Sequence, residues 1–364
     1  MKKCIKKTLL FALAGILLAG LLTAGAMANQ ENMGAELGYI HVLNTGWEDT
    51  IILESDGRFA VVDAGMPGRG PYIMDYLQRR AGAEDVHLDF IIATHSHIDH
   101  MGGFVDQTHD DTFREGFISL PNVTIGKAYA KRENNQNADG TIGGRLYRAF
   151  LAGCAEKGIE VVQDGLDNLE LLLGNMKVTL VNGAPFVGGT TNPESMCQLV
   201  EAGDYKALLA ADMVSNKKEL GVYKQIGGTV DFLKIGHHGM GDSTGVRFAR
   251  NLRPKVAVYT NGNSWNVGSQ DATLSTAKNI SGYNNLRRVG AAQYVTTDIG
   301  GLMAVFGENG MDYRAIKEFT IHGDYEYRED IILRRIAPPA LGFFQGIAVF
   351  FEDIWYRILN LFGR

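Results

Sequence analysis

The chain has 364 residues, of which 45% are hydrophobic and 21% charged, and its formal net charge is −6. An acidic balance argues against a broad nucleic-acid-binding surface, which would normally be basic. The length suits one large or two small domains, and the lack of repeats and of Pro/Ser-rich linkers favours one decorated domain.

The first 28 residues have the features of a secretory signal peptide. Lysines at positions 2, 3, 6 and 7 precede an apolar stretch at 8–23, and Ala26-Met27-Ala28 is a small-residue cleavage signal. We therefore expect a secreted protein that starts at Asn29. Losing four lysines and no acid would take the formal charge from −6 to −10. Secretion permits a disulfide between Cys154 and Cys197 but does not require one, so a bridge and two buried thiols both stay open.

Three strands open the predicted domain, which we place at residues 36–320. They cover residues 38–44, 49–54 and 58–64, with a hairpin turn at Ser55-Asp56-Gly57. Asp63 lies at the carboxyl end of the third strand. A helix is predicted over 71–81 and a short buried strand over 88–93.

A histidine-rich loop follows this buried strand. Residues 94–100, Thr-His-Ser-His-Ile-Asp-His, contain three of the nine histidines of the chain and a carboxylate. Imidazole and carboxylate are ligands that borderline divalent metals prefer, and His-x-His on a tight loop directs two nitrogens at one point. A polar surface loop with chance histidines is the alternative. The strand before the loop favours the metal site, and with it a metal-dependent hydrolase.

Strands and helices alternate through the rest of the chain. Strands are predicted at 124–130, 160–162, 169–173, 176–182, 195–202, 206–210, 231–235, 255–259, 294–297 and 302–306, and helices at 144–157, 245–252 and 272–280. This mixture predicts an α+β fold in which helices cover two sheets.

Two later strand ends also carry ligand-type residues. Asp212 follows the apolar strand at 206–210, although it could instead cap a helix. His237 and His238 follow the strand at 231–235, where a structural pair is the alternative. Three strand ends with such residues are harder to explain by chance than one.

The order of Asp63, the histidine loop, Asp212 and His237 resembles the metallo-β-lactamase fold superfamily, over about residues 38–313. The resemblance implies an αββα four-layer sandwich of two mixed sheets covered by helices, with a site for two divalent metal ions at the sheet edges. Zinc is the expected metal and manganese the alternative. The implied ligands are His95 and His97 for the first ion, Asp99, His100 and His237 for the second, and Asp212 between them. Asp63 would orient the loop from behind the ligands.

One ligand that many members have is absent. They carry a third histidine for the first metal in a run like H-T-P-G-S, where this chain has Thr191-Asn192-Pro193-Glu194-Ser195. In this the chain is similar to the branch that contains competence-protein nuclease-like domains and secreted teichoic acid phosphorylcholine esterases. Cys197 lies close by in sequence, but strand geometry disfavours it as a substitute ligand. The difference favours phosphodiester hydrolysis over lactam or thioester hydrolysis.

The implied chemistry is attack on phosphorus by a hydroxide shared between two metal ions. Asp99 and Asp212 would act through the metals. His238 is the candidate for contacting the phosphate or protonating the leaving oxygen, with a purely structural role as the alternative. The loop at 260–266, with Asn263 and Trp265, would suit substrate binding, and an ordinary surface turn is its alternative. Trp265 or Trp47 could hold a choline headgroup by cation–π attraction.

The C-terminal segment, residues 338–364, has the pattern of an amphipathic helix whose apolar part is too short to span a bilayer. We expect it to contact a membrane surface, with docking onto the domain or another subunit as alternatives. The sequence as a whole predicts a secreted phosphodiesterase acting on phosphorylcholine or other envelope-polymer phosphodiesters. The alternatives are a secreted nuclease similar to the competence-type domain and a metal-poor, non-catalytic binding module.

Overall fold

The computed structural model describes residues 33–109, 111–132, 142–185, 191–240, 242–260 and 281–316. Several predicted features lie outside these residues and stay predictions: the signal peptide at 1–28, the helix at 272–280, the loop residues Asn263 and Trp265, and the C-terminal helix at 338–364.

Eight strands form the first sheet. In spatial order they are β17 (Met311–Ala315), β16 (Gly301–Gly307), β1 (Glu36–Leu43), β2 (Thr50–Ser55), β3 (Arg58–Ala64), β4 (Val86–Ala93), β7 (Val123–Ala130) and β8 (Glu160–Val162). The pairs from β17 to β3 are antiparallel, and those from β3 to β8 are parallel. The sheet is therefore mixed.

Seven strands form the second sheet. In spatial order they are β15 (Ala292–Val295), β14 (Val256–Tyr259), β13 (Phe232–Lys234), β12 (Tyr205–Leu209), β11 (Cys197–Ala202), β10 (Met176–Val181) and β9 (Glu170–Leu173). Strands β12 to β15 run parallel, and β9 to β12 antiparallel. A separate hairpin of β5 (Gln107–His109) and β6 (Thr112–Arg114) follows the histidine loop.

The α-helices in the described part of the chain are α1 (Gly70–Ala81), α2 (Ile98–Met101), α3 (Ile142–Glu156), α4 (Asn216–Ile226), α5 (Val246–Leu252), α6 (Ser281–Arg288) and α7 (Thr296–Ile299). Short 3₁₀ turns occur at Gly102–Phe104, Asn192–Glu194 and Gly236–Gly239. Within the described residues, no helix has both the length and the apolar character needed to cross a membrane.

Three apolar clusters define the layers. Successive residues of a strand point to opposite faces, and here each face is buried. In β2, Ile51 packs between the two sheets, whereas Ile52 packs with residues of α1 and α3. In β12, Leu209 lies between the sheets and Leu208 packs with residues of α4, α5 and α6. The order is helices, sheet, sheet, helices, and the predicted αββα sandwich is confirmed.

Most predicted strands are present, with differences at a few places. Helix α4 and the β5–β6 hairpin occupy segments for which no element was predicted. The strand predicted at 294–297 ends at Val295, and α7 begins directly after it. Cys154 and Cys197 are free, buried thiols in different apolar clusters, so the disulfide that the sequence left open is not formed.

The topology brings several strand ends to one place. Strands β3 and β4 are parallel neighbours in the first sheet, and β12, β13 and β14 are parallel neighbours in the second. Parallel neighbours present their carboxyl ends at the same sheet edge, where open α/β sheets place their ligand sites. The polar residues that follow these strands are thereby collected at one edge of the sandwich.

Gly103 gives a test of how tightly this edge is packed. A Cβ atom at Gly103 would lie 1.9 Å from the carbonyl oxygen of Ala64, at the end of β3. Gly103→Ala must displace backbone, so we expect it to destabilise the fold by about 1–3 kcal/mol or more. In chemical denaturation, the matched control is Gly221→Ala in α4, where an added Cβ meets nothing within 4 Å. The control should gain about 0.5–1 kcal/mol from helix propensity, and equal stability of the two variants would contradict the packing described here.

Candidate metal centre

The metal-type residues predicted from the sequence meet at this sheet edge. Asp63 ends β3, the histidine loop follows β4, Asp212 follows β12, and His237 and His238 follow β13. Asp212 lies at the centre and is fully buried, with imidazole groups on both sides. The groups on its two sides differ in composition.

The first group contains His95, His97 and Asp212, whose ligand atoms lie within 4.8 Å of one another. The Nε2 atom of His95 is 3.7 Å from Asp212 Oδ2, and the rings of His95 and His97 are 4.6 Å apart. The hydroxyl of Thr191 lies 2.5 Å from His97 Nε2. A hydroxyl therefore occupies the side of the group where other superfamily members were expected to have a third histidine.

The second group contains Asp49, His100, His238 and Asp212, whose ligand atoms lie within 4.8 Å of one another, and Asp99 lies beside them. The Nε2 atoms of His100 and His238 are each 3.1 Å from Asp212 Oδ1. Asp99 Oδ2 is 3.3 Å from His238 Nε2 and 3.9 Å from His100 Nε2. The predicted residues Asp99, His100 and Asp212 are thus together, and His238 completes the group.

The positions of His237 and His238 are exchanged relative to the prediction, whereas their roles stay predictions. Both lie in the 3₁₀ turn Gly236–Gly239 with positive φ angles of 47° and 52°, a backbone shape that turns their side chains in different directions. His238 is fully buried against Asp212. His237 instead bonds Asp242 through Nδ1 at 2.8 Å and approaches the amide of Asn192 through Nε2 at 3.0 Å. His238 therefore lies in the buried group, whereas His237 stands at the open side, its Nε2 atom 3.9 Å from Asp212 Oδ2.

The donor atoms at the centre fit divalent metal ions. Among the buried side-chain atoms of the described residues that have no hydrogen-bond partner, four lie at the centre: Nε2 of His95, His100 and His238, and Oδ1 of Asp212. Leaving a buried polar atom without a partner costs about 1–3 kcal/mol. Three imidazole nitrogens and a carboxylate oxygen directed at one region are the ligand types that zinc and related metals take. Metal coordination would satisfy all four atoms.

Charge coupling dominates the centre. Burial alone would raise the pKa of Asp212, but the charges of His100 and His238 outweigh burial and hold that pKa well below its usual range. Burial alone would lower the pKa of His100 and of His238, but Asp212 and its neighbouring carboxylates raise both values well above the usual range. The carboxylates therefore favour positive charge at this place, which a bound cation supplies equally well.

The histidines of the first group behave differently. Burial, together with repulsion from His100, lowers the pKa of His95 well below its usual range and also lowers the pKa of His97. Both are therefore neutral near pH 7. Neutral imidazole is the form that binds a metal ion, so this group is ready to receive one.

Asp63 lies behind the histidine loop, where the sequence placed it. Its carboxylate accepts hydrogen bonds from the Thr94 backbone N–H at 2.9 Å and the Thr94 hydroxyl at 2.7 Å. It also lies 2.7 Å from His100 Nδ1. A proton held on Nδ1 leaves the Nε2 lone pair of His100 directed at Asp212, which is how carboxylates orient metal-binding histidines.

Sequence reasoning missed Asp49, Lys234 and Lys131, and it placed Thr260 only in the proposed substrate loop at 260–266. Asp49 is buried at the second group, 3.4 Å from His238 Nδ1 and 3.8 Å from His100 Nδ1. Because its two oxygens already accept from Lys234 and Thr260, Asp49 supports the ligands, and Asp99 is the better candidate ligand. The sequence feature that could have revealed Lys234 is the presence of a lysine within the apolar run Phe232-Leu233-Lys234-Ile235.

Lys131 supports the open side of the first group. Its ammonium donates to the carbonyls of Asn182 at 2.9 Å and Glu194 at 2.7 Å, and burial lowers its pKa to about 8. Glu194 ends the 3₁₀ turn that begins beside Thr191. Lys131 therefore fixes the segment that holds Thr191 and Asn192.

Comparison with known proteins agrees with this geometry. Residues 48–106 match the model of the Metallo-beta-lactamase superfamily, a segment that includes Asp49, Asp63 and the whole histidine loop. The chain is 26% identical over 232 residues to Recombination protein 2 of Haemophilus influenzae. That match covers 62% of this chain and 24% of the relative, so the chain spans about a quarter of the relative's length.

Two solved structures are also similar. CmlA, a diiron beta-hydroxylase from Streptomyces venezuelae, is 18% identical with a TM-score of 0.45, covering 72% of this chain and 53% of that chain. The metallo-beta-lactamase fold protein YhfI from Bacillus subtilis is 11% identical with a TM-score of 0.43, covering 76% of this chain and 99% of that one.

The chain therefore carries the metallo-β-lactamase superfamily fold together with its histidine-loop motif, and the predicted resemblance is confirmed. At the general level, the match over residues 48–106 agrees with the prediction of a metal-dependent hydrolase of this superfamily. The His/Asp cluster is one that could hold metal ions.

The exchange of His237 and His238 can be tested by metal content. We expect His238→Ala to lower zinc affinity by more than the roughly 10–100-fold that follows loss of a residue that only supports a ligand. His237→Ala is the matched control, since it removes the neighbouring imidazole while leaving the buried group intact. The measurement is zinc per chain by mass spectrometry, with affinity from chelator competition. A greater loss of zinc in His237→Ala would restore the original assignment.

Proposed function

We propose that this protein is a secreted, metal-dependent phosphodiesterase that acts on phosphorylcholine esters or other phosphodiesters of envelope polymers. One observation carries the proposal. Beside the first metal group, the place of a third histidine is taken by neutral side chains that can donate hydrogen bonds, Thr191 and Asn192, with His237 next to them.

These side chains suit a phosphodiester because its two non-bridging oxygens are hydrogen-bond acceptors. The amide nitrogen of Asn192 lies 3.0 Å from His237 Nε2, and His237 Nε2 lies 3.9 Å from Asp212 Oδ2. A phosphate oxygen bound at the first group would thus meet donors already held in position by Lys131.

The candidate ligands would hold two divalent ions, for which zinc or manganese is proposed. His95 and His97 would hold the first, Asp99, His100 and His238 the second, and Asp212 would lie between them. Such a pair of ions lowers the pKa of a water molecule toward neutrality and neutralises the charge that develops on the phosphate oxygens. With only three protein ligands, the first ion keeps room for a substrate oxygen, as catalytic zinc sites do.

His237 is the proposed proton donor to the leaving oxygen, a role that the sequence had given to His238. Its Nδ1 atom is 2.8 Å from Asp242, whose carboxylate holds the ring in place. Its Nε2 atom faces the donors that would bind the phosphate. An imidazole whose far nitrogen is bonded to a carboxylate is the usual arrangement for general acid–base catalysis.

Trp47 supports a choline-bearing substrate. Its ring centroid lies 5.3 Å from that of His238, so an aromatic face stands next to the second group. A quaternary ammonium is attracted to such a face by cation–π interaction. Secretion through residues 1–28 and contact of residues 338–364 with a membrane surface would bring the enzyme to envelope polymers.

A secreted nuclease is the second candidate, and the similarity to Recombination protein 2 favours it. The fold and the metal cluster would serve a nucleic-acid phosphodiester equally well. The net charge of −6 argues against an extended nucleic-acid surface, so a nuclease of this kind would hold only a few nucleotides at a time.

Substrate hydrolysis decides between these functions. The zinc- and manganese-loaded protein is assayed with bis(p-nitrophenyl) phosphate, p-nitrophenylphosphorylcholine and single-stranded DNA. Asp212→Asn and His97→Ala should each lower turnover by at least about 100-fold, because both remove charge or ligands from the reacting centre. Asp164→Asn is the matched control, since Asp164 pairs with Arg132 at the surface.

Turnover of the choline ester without DNA cleavage would support the first function, and the reverse would support the nuclease. A metal-loaded protein that hydrolyses none of the three substrates would contradict both functions. The non-catalytic binding module would then be the remaining candidate. Activity unchanged in Asp212→Asn would place the reaction elsewhere in the protein.

A further inference from the structure

A lysine is buried directly beneath the candidate metal centre. Lys234 ends β13, where it is flanked by Leu209 of β12 and Val258 of β14, and its side chain is fully buried. Its ammonium pairs with the buried carboxylate of Asp49. Replacing a buried ion pair with apolar residues is often neutral or stabilising, so stability alone does not explain this pair.

Lys234 also reaches the segment that carries Asp212. Its ammonium donates to the carbonyl oxygen of Ala211 at 3.0 Å. Ala211 directly precedes Asp212 and has a positive φ of 43°, a strained conformation for a residue with a Cβ. The hydrogen bond from Lys234 holds this turn, and the turn directs the Asp212 carboxylate between the two imidazole groups.

Asp49 is also linked to His238, through the hydroxyl of Thr260. The Thr260 hydroxyl donates to Asp49 Oδ1 at 2.6 Å, and the Thr260 oxygen lies 3.0 Å from His238 Nδ1. Since the Thr260 proton is given to Asp49, its oxygen accepts the Nδ1 proton of His238. Nε2 of His238, which faces Asp212 and Asp99, is then the ring nitrogen that a metal ion would take.

The backbone of Asp49 completes the connection. Its N–H donates to the carbonyl of Asp99 at 3.1 Å, and its own carbonyl accepts from Gly65 at 2.9 Å. One buried ion pair is therefore hydrogen-bonded to groups that hold Asp212, His238 and Asp99. It reaches Asp212 through Ala211, His238 through Thr260, and Asp99 through the backbone.

We propose that Lys234 and Asp49 are positioning residues that set the metal affinity of the second group by fixing the Asp212 turn and the orientation of the His238 ring. The inference rests on the proposed function in taking this cluster to bind metal. It assigns no contact with the metal to either residue.

The test compares Lys234→Met, Asp49→Asn and the double variant in the full-length protein. Zinc affinity is measured by chelator competition, and stability by thermal denaturation after chelator treatment. We expect each variant to lose about 10–100-fold in affinity for one of the bound zinc ions, as losing a ligand's support does elsewhere. The double variant should recover stability, because no unpaired charge stays buried, but it should not recover affinity.

Two further variants keep the test decisive if a single charge removal prevents folding. Thr260→Val keeps the ion pair and removes only the hydroxyl between Asp49 and His238, so it should lose zinc affinity with little loss of stability. Arg80→Met is the control, because it breaks an ion pair with Glu54 that is partly buried and lies away from the metal centre. It should leave zinc affinity unchanged.

Wild-type zinc affinity in the double variant and in Thr260→Val would overturn the inference and leave the pair a structural feature. The proposed function can fail on its own. If the wild type binds zinc and these variants lose affinity as expected, but the wild type hydrolyses no phosphodiester, only the function is overturned. A wild type that binds no zinc would overturn both.

Discussion

The buried carboxylate of Asp212 is the group on which the rest of the site depends. A carboxylate removed from water is stable as an anion only when positive charge or strong donors surround it. Here imidazoles from the loop after β4 and from the turn after β13 meet it from both sides. Their unpaired nitrogens, together with its own unpaired oxygen, leave a cation as the group that satisfies all of them. One bound cation would therefore both balance the charge of Asp212 and satisfy the histidine nitrogens.

The topology of the fold brings Asp212 and these histidines together. Strands from two different sheets end at one edge, so ligands far apart in the chain converge without long loops. Behind them lies a layer of buried polar residues, Asp63, Asp49, Lys234 and Thr260, which bond the ligands and one another. The open side of the first group carries Thr191, Asn192 and His237 instead of another histidine. The candidate ligands are thus held from behind, and the open side consists of hydrogen-bonding groups.

Much of this could be predicted from the sequence, and particular residues show why the rest could not. The apolar strands and the histidine loop are local signals, so the αββα fold, the association of His95, His97 and His100, and the Asp63 support followed directly. His237 and His238 are adjacent in sequence, and only the two positive φ angles of the turn decide which ring points inward. Asp49 and Lys234 are 185 residues apart, and no local pattern reveals that they pair. Helix α4 has few apolar residues in a charged segment, which weakened its periodic signal.

Anomalous diffraction from zinc-loaded crystals tests the central claim most directly. We expect one zinc ion on each side of Asp212, the first about 2.0–2.1 Å from the ring nitrogens of His95 and His97 and the second at that distance from Nε2 of His100 and His238. Zinc bound through His237 in place of His238, or zinc placed away from Asp212, would contradict it.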